Sequence, residues 1–91
     1  MNIFEFADVI DHALVIRRYP NQDERWSAIF EYAEVSEGAM LAGRYGNANT
    51  AQGALDDYLE QIRGATLVFN ATSPTGRREY VCPKNIVGAN L

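Results

Sequence analysis

Residues 46–71, GNANTAQGALDDYLEQIRGATLVFNA, decide the fold. Thr50 is a natural helix N-cap, because its hydroxyl can accept a hydrogen bond from an otherwise unpaired amide of the first turn. Ala51, Ala54, Leu55, Tyr58, Leu59 and Ile62 then recur at helical spacing and form one apolar stripe. Such a stripe needs a sheet to cover it. Gly64 can adopt the left-handed conformation that closes a helix, and 65–71, through Thr66, Leu67, Val68 and Phe69, reads as a strand returning to that sheet.

Working toward the N-terminus, Asn2 to His12 has two readings: a short helix, the favoured one, with Asn2 as cap and Glu5 as its capping-box partner, or an irregular strand, since Ile3, Phe4 and Phe6 are good strand residues. Ala13 to Tyr19 is a strand and 20–24 a polar reversal. Arg25 to Val35 is the longest strand candidate. Alternation places Trp26, Ala28, Phe30 and Tyr32 on one face, expected to be buried, and Arg25, Ser27, Ile29, Glu31 and Ala33 on the other. A tight turn at Ser36, Glu37 and Gly38 leads into a third strand, 39–45. Toward the C-terminus, 72–76 is a turn and Arg77 to Cys82 a last strand, ended by Pro83. Short polar connections favour antiparallel pairing. The expectation is one α+β domain over 1–91: a mostly antiparallel sheet of about five strands, order α-β-β-β-α-β-β, with a main amphipathic helix on one face. The second face is left exposed, or covered by the first helix or another molecule.

Composition narrows the function classes. The 91 residues carry a net charge of -4, which disfavours a surface that tracks nucleic acid throughout. A chain of this size buries a modest core, so a homodimer is compatible with it. The single cysteine, Cys82, excludes an intrachain disulfide and suits a reducing, cytoplasmic setting. The N-terminal segment lacks the features of a secretory signal, and no apolar run is long enough for a membrane helix.

Searching for chemistry yields little. His12 is the only histidine and has no cysteine or second histidine at zinc-ligand spacing. A His12–Cys82 catalytic pair lacks any supporting pattern, so no catalytic residue, metal or cofactor is expected. The glycines and asparagines before Thr50 suggest an anion-binding loop, but no Walker lysine accompanies them. Asp56, Asp57 and Glu60 lie on the polar side of the main helix, with Glu31 and Glu34 near the long strand. Exposed carboxylates do not make a general acid, although they steer a basic partner. Tyr19, Trp26, Tyr32, Tyr45 and Tyr80 exceed what one small core hides, and Tyr, Trp and Arg dominate binding hot spots. A protein-binding surface of Asp56, Asp57, Glu60, Glu31, Glu34, Tyr32 and Trp26 is therefore the leading expectation. The alternative is a nucleic-acid surface of Arg17, Arg18, Arg77 and Arg78 on adjacent strands.

Glu37-Gly38, Leu41, Gly43, Gly46, Thr50, Ala54, Asp57, Tyr58, Ile62, Gly64, Leu67, Val68 and Ala71 together resemble a pattern in small phage and prophage proteins. More distantly, the pattern is similar to the HicB-type antitoxin fold, in which a β-meander leads through a glycine-and-threonine turn to a helix and another strand. Ala33, Glu34, Val35 and Ser36 stand where HicB-like proteins carry a proline-rich element. The phage-like resemblance implies a small accessory protein that blocks a host factor, as anti-CRISPR proteins do. The HicB-like one implies toxin neutralisation or RNA binding. A small-ligand sponge with a pocket at a dimer interface is a third expectation.

Overall fold

Two interrupted strands shape the architecture. The computed structural model describes residues 1–21, 23 and 25–91; Gln22 and Glu24, within the polar reversal expected at 20–24, lie outside the described residues. Helix α1 spans Ile3–Ile10, followed by strands β1 (Leu14–Tyr19), β2 (Arg25–Phe30), β3 (Ala33–Glu37), β4 (Met40–Ala42) and β5 (Gly46–Ala48). Helix α2 spans Ala51–Ile62, and β6 (Thr66–Phe69) and β7 (Arg78–Val81) complete the fold. The strands form two antiparallel sheets, β1-β2-β5 and β4-β3-β6-β7. The class is α+β, as the patterning indicates.

The segment read as one strand, 25–35, is two. Tyr32 takes a left-handed φ of +64°, and the chain crosses there from the first sheet into the second. The crossing is held from both sides: the Glu31 amide donates to the Ala13 carbonyl at 2.9 Å, and the Asn70 amide to the Tyr32 carbonyl at 3.2 Å. Two residues out of register reset the alternation, as a bulge does. Trp26, Ala28 and Phe30 therefore face the core, whereas Tyr32, expected beside them, is 70% exposed, and Ala33, expected outside, is buried. The third expected strand divides likewise, β4 pairing with β3 and β5 with β2. Counting each divided strand once restores the order α-β-β-β-α-β-β.

Both helices feed one core. Thr50 caps α2 by accepting from the Gly53 amide at 2.9 Å, and Gly64, at φ +71°, follows its end. Ala54, Leu55, Tyr58, Leu59 and Ile62 are buried against the strands. Removing side chains the size of Leu55 or Ile62 from water contributes about 2 kcal/mol each. Asn2 and Glu5 form the expected capping box on α1, which sets Ile3, Phe6 and Ile10 into the same core. Phe6 and Tyr58 both reach Phe30, each with ring centroids 6.0 Å apart. Phe69 joins them at the same distance and stacks on His12 at 3.8 Å. With both helices engaged on the Phe30 side, the Arg25–Ser27–Ile29 side of the first sheet has no helical cover.

Candidate functional site

The uncovered face of β1-β2-β5 forms an open trough. One depression of about 310 Å³ is lined by Tyr19, Arg25, Ser27, Ile29, Tyr45 and Asn47. A second, of about 230 Å³, shares Tyr19, Ser27 and Ile29 with it and continues past Arg17 and Glu31 to Tyr32. Strand register explains the arrangement: Arg17, Ser27 and Asn47 stand directly across from one another, and Tyr19 opposes Arg25. Ser27, at 9% exposure, forms the floor. Tyr19 and Tyr45 form opposite rims, being 41% and 56% exposed.

The rim near β5 is fixed by the helix on the other side of the sheet. The Asp57 carboxylate accepts from the Asn47 amide at 2.9 Å, and Gln61 Nε2 donates to the Tyr45 carbonyl at 2.8 Å. Gly46, between them, is where α2 touches the strand backbone. A Cβ there would lie 1.9 Å from the Ala54 carbonyl oxygen, so only glycine permits the contact.

Beyond the trough, the sheet-to-sheet crossing makes a corner. Tyr32, Glu34, Asn70 and Thr72 line a depression of about 350 Å³. Tyr32 and Asn70 are both left-handed, at φ +64° and +53°, and are joined by their backbone hydrogen bond. A left-handed tyrosine is an uncommon conformation, and such outliers concentrate at functional sites.

The candidate acidic residues occupy two places. Glu31, Tyr32 and Glu34 share the corner, whereas Asp56, Asp57 and Glu60 lie on α2 and already have partners. Asp56 accepts from Gln52, Asp57 holds the rim, and Glu60 pairs with Arg63. Trp26 is half-buried and packs against the core. The four candidate arginines are not on adjacent strands. β1, with Arg17 and Arg18, and β7, with Arg78 after Arg77, belong to different sheets. Arg17 and Arg18 also alternate between faces, Arg18 lying opposite Trp26. Arg77 is within 3.6 Å of Glu79, and Arg78 donates to the Thr75 and Arg77 carbonyls. Arg25 and Asn47 were absent from the expected site residues, although the period-two face of 25–30 carries the signal for Arg25.

Cys82 is fully buried, and burial pushes its thiol up to about 11. A protonated, enclosed thiol is a poor nucleophile at neutral pH. His12 packs against Phe69 and Tyr80, which also meet each other edge to face. Among the described residues no three metal-ligating side chains converge, and no helix is long and apolar enough to cross a membrane. No protein-family model, curated protein or solved structure matches this chain.

Proposed function

We propose that this chain is a non-catalytic protein-binding domain of the phage accessory type, which engages and inhibits a host protein through the Glu31–Tyr32–Glu34 corner. One observation carries the reading: Tyr32 is 70% exposed in a left-handed conformation that a glycine would occupy without strain. A large aromatic held outside the core in this way gives the folded monomer no packing return, yet suits an anchor that enters a partner's pocket. Glu31 and Glu34 beside it supply steering toward a basic partner. The phage-type and defence-system parts of the reading rest on the sequence resemblance alone.

The test is recovery of a stoichiometric complex when the tagged chain is expressed in bacterial cells. Retention should fall as salt rises, because exposed carboxylates act through screened charge. It should also fall by about tenfold or more with Tyr32→Ala, the loss expected of a hot-spot aromatic. A complex indifferent to both changes would place binding elsewhere.

A further inference from the structure

Among the described residues, Arg44, Arg63 and Arg77 each have a carboxylate partner and Arg78 donates to backbone carbonyls, whereas Arg17 and Arg25 have neither kind of partner. This holds in a chain where acidic residues outnumber basic ones 12 to 8. Both unpaired arginines line the trough. The register makes them diagonal neighbours, since Arg17 opposes Ser27 and Arg25 lies two residues before it. Such positions are about 7 Å apart, so the two like charges disfavour each other until an anion lies between them. Asn47 and Ser27 complete the row opposite Arg17, and neither side chain has a protein hydrogen-bond partner among the described residues.

We propose that the trough binds a small phosphorylated ligand bearing a planar ring, of the mononucleotide class. Two guanidiniums converging from neighbouring strands match the charge and the several acceptor oxygens of a phosphate monoester. Ser27 and Asn47 add hydrogen-bonding groups on the floor. Tyr19 and Tyr45 stand at diagonal corners of this floor, Tyr19 level with Arg25 and Tyr45 level with Ile29. Two strand spacings and four residues of strand put their backbones about 16 Å apart, so a ligand ring meets one of them, Tyr19 being the one beside the arginines. Neither ring stacks on another aromatic among the described residues, so both faces remain available to a ligand ring. Size and charge favour a small ligand over a long polyanion. The main depression, about 310 Å³, is at the small-molecule scale, and Glu31 stands at the far end of the trough, where a continuing phosphate backbone would pass. This site is separate from the Tyr32 corner, and its failure would leave the protein-binding reading intact.

The experiment is titration calorimetry of the purified chain with four probes: a nucleoside 5′-monophosphate set, the corresponding nucleosides, inorganic phosphate, and a single-stranded RNA oligonucleotide. Monophosphates should bind, with nucleosides and inorganic phosphate each weaker by about tenfold or more, since each lacks one half of the recognition. Arg17→Ala and Arg25→Ala should each cost about tenfold in monophosphate affinity with circular dichroism unchanged, because both side chains are exposed. Tyr19→Ala should narrow the preference for monophosphate over phosphate. Absence of monophosphate binding, or binding indifferent to both arginine variants, overturns the site. Equal affinity for phosphate overturns the planar-ring assignment, and binding by the oligonucleotide alone overturns the small ligand in favour of nucleic acid.

Discussion

The Tyr58 hydroxyl, in the middle of α2, accepts a hydrogen bond from the Phe30 amide at 3.0 Å, deep in the core. Phe30 is the last residue of β2 before the chain crosses between sheets, so this bond satisfies a buried donor at the crossing. Tyr58→Phe keeps the ring and removes the acceptor. The expected cost is about 2 kcal/mol in a urea titration, the penalty of an unsatisfied buried amide. An unchanged midpoint would show that the amide finds another partner.

Gly46→Ala should prevent folding or cost more than about 4 kcal/mol, because the added carbon would collide with the Ala54 carbonyl and with Tyr58. Gly43→Ala is the control, since nothing lies within 4 Å of a Cβ at that position. Thermal melts of the two variants should differ widely, and similar melts would refute the close contact.

Tyr32→Gly separates stability from binding. Relief of the left-handed strain should leave the melting temperature unchanged or raise stability by up to about 1 kcal/mol, while the anchor is lost. A marked loss of stability would show that the exposed ring supports the fold.

Asp57 should matter more to the fold than its neighbours. Removing its bond to the Asn47 amide in Asp57→Ala is expected to cost about 2 kcal/mol, as a charge-assisted bond to backbone does. Asp56→Lys, which gives up a side-chain bond from Gln52 and none from a backbone amide, should stay within about 0.5 kcal/mol of the parent. Chemical denaturation compares them directly.

Alkaline pH should weaken the fold in two stages. Burial raises the Cys82 thiol from 9.0 to about 11 and the Tyr58 phenol from 10.0 to about 12. In both groups the folded state holds the proton longer, so stability is whole below the unfolded values and falls as pH rises through the folded ones. Each contributes a loss of about 3 kcal/mol when fully titrated. Cys82→Ala should remove the earlier stage from a plot of melting temperature against pH, and a single unaltered transition would exclude the buried thiol as its source.

The elements that were legible from residues alone carry strong local signals: the Thr50 cap, the apolar stripe of α2, the Asn2–Glu5 capping box and Gly64. The crossing at Glu31–Tyr32 was not legible, because its cause is tertiary. Ala13 and Asn70, distant in sequence, supply the hydrogen bonds that hold it, and tyrosine does not advertise a left-handed backbone as glycine would. The trough was half legible: alternation set Arg25, Ser27 and Ile29 on one face, but the register that brings Arg17 and Asn47 level with Ser27 is a pairing between strands that no local pattern states. The role of Asp57 was equally concealed, because a carboxylate on a polar helix side looks the same whether it meets solvent or a strand amide.

The segment from Arg25 to Glu37 is a member of both sheets, with its first half paired in one and its second half in the other. Neither layer can therefore detach as an independent foldon, because pulling on either end drags the shared ribbon out of its neighbour. Amide protons of Ala28 and Val35, though in separate sheets, should exchange through the same global opening, and the chain should melt as one cooperative unit.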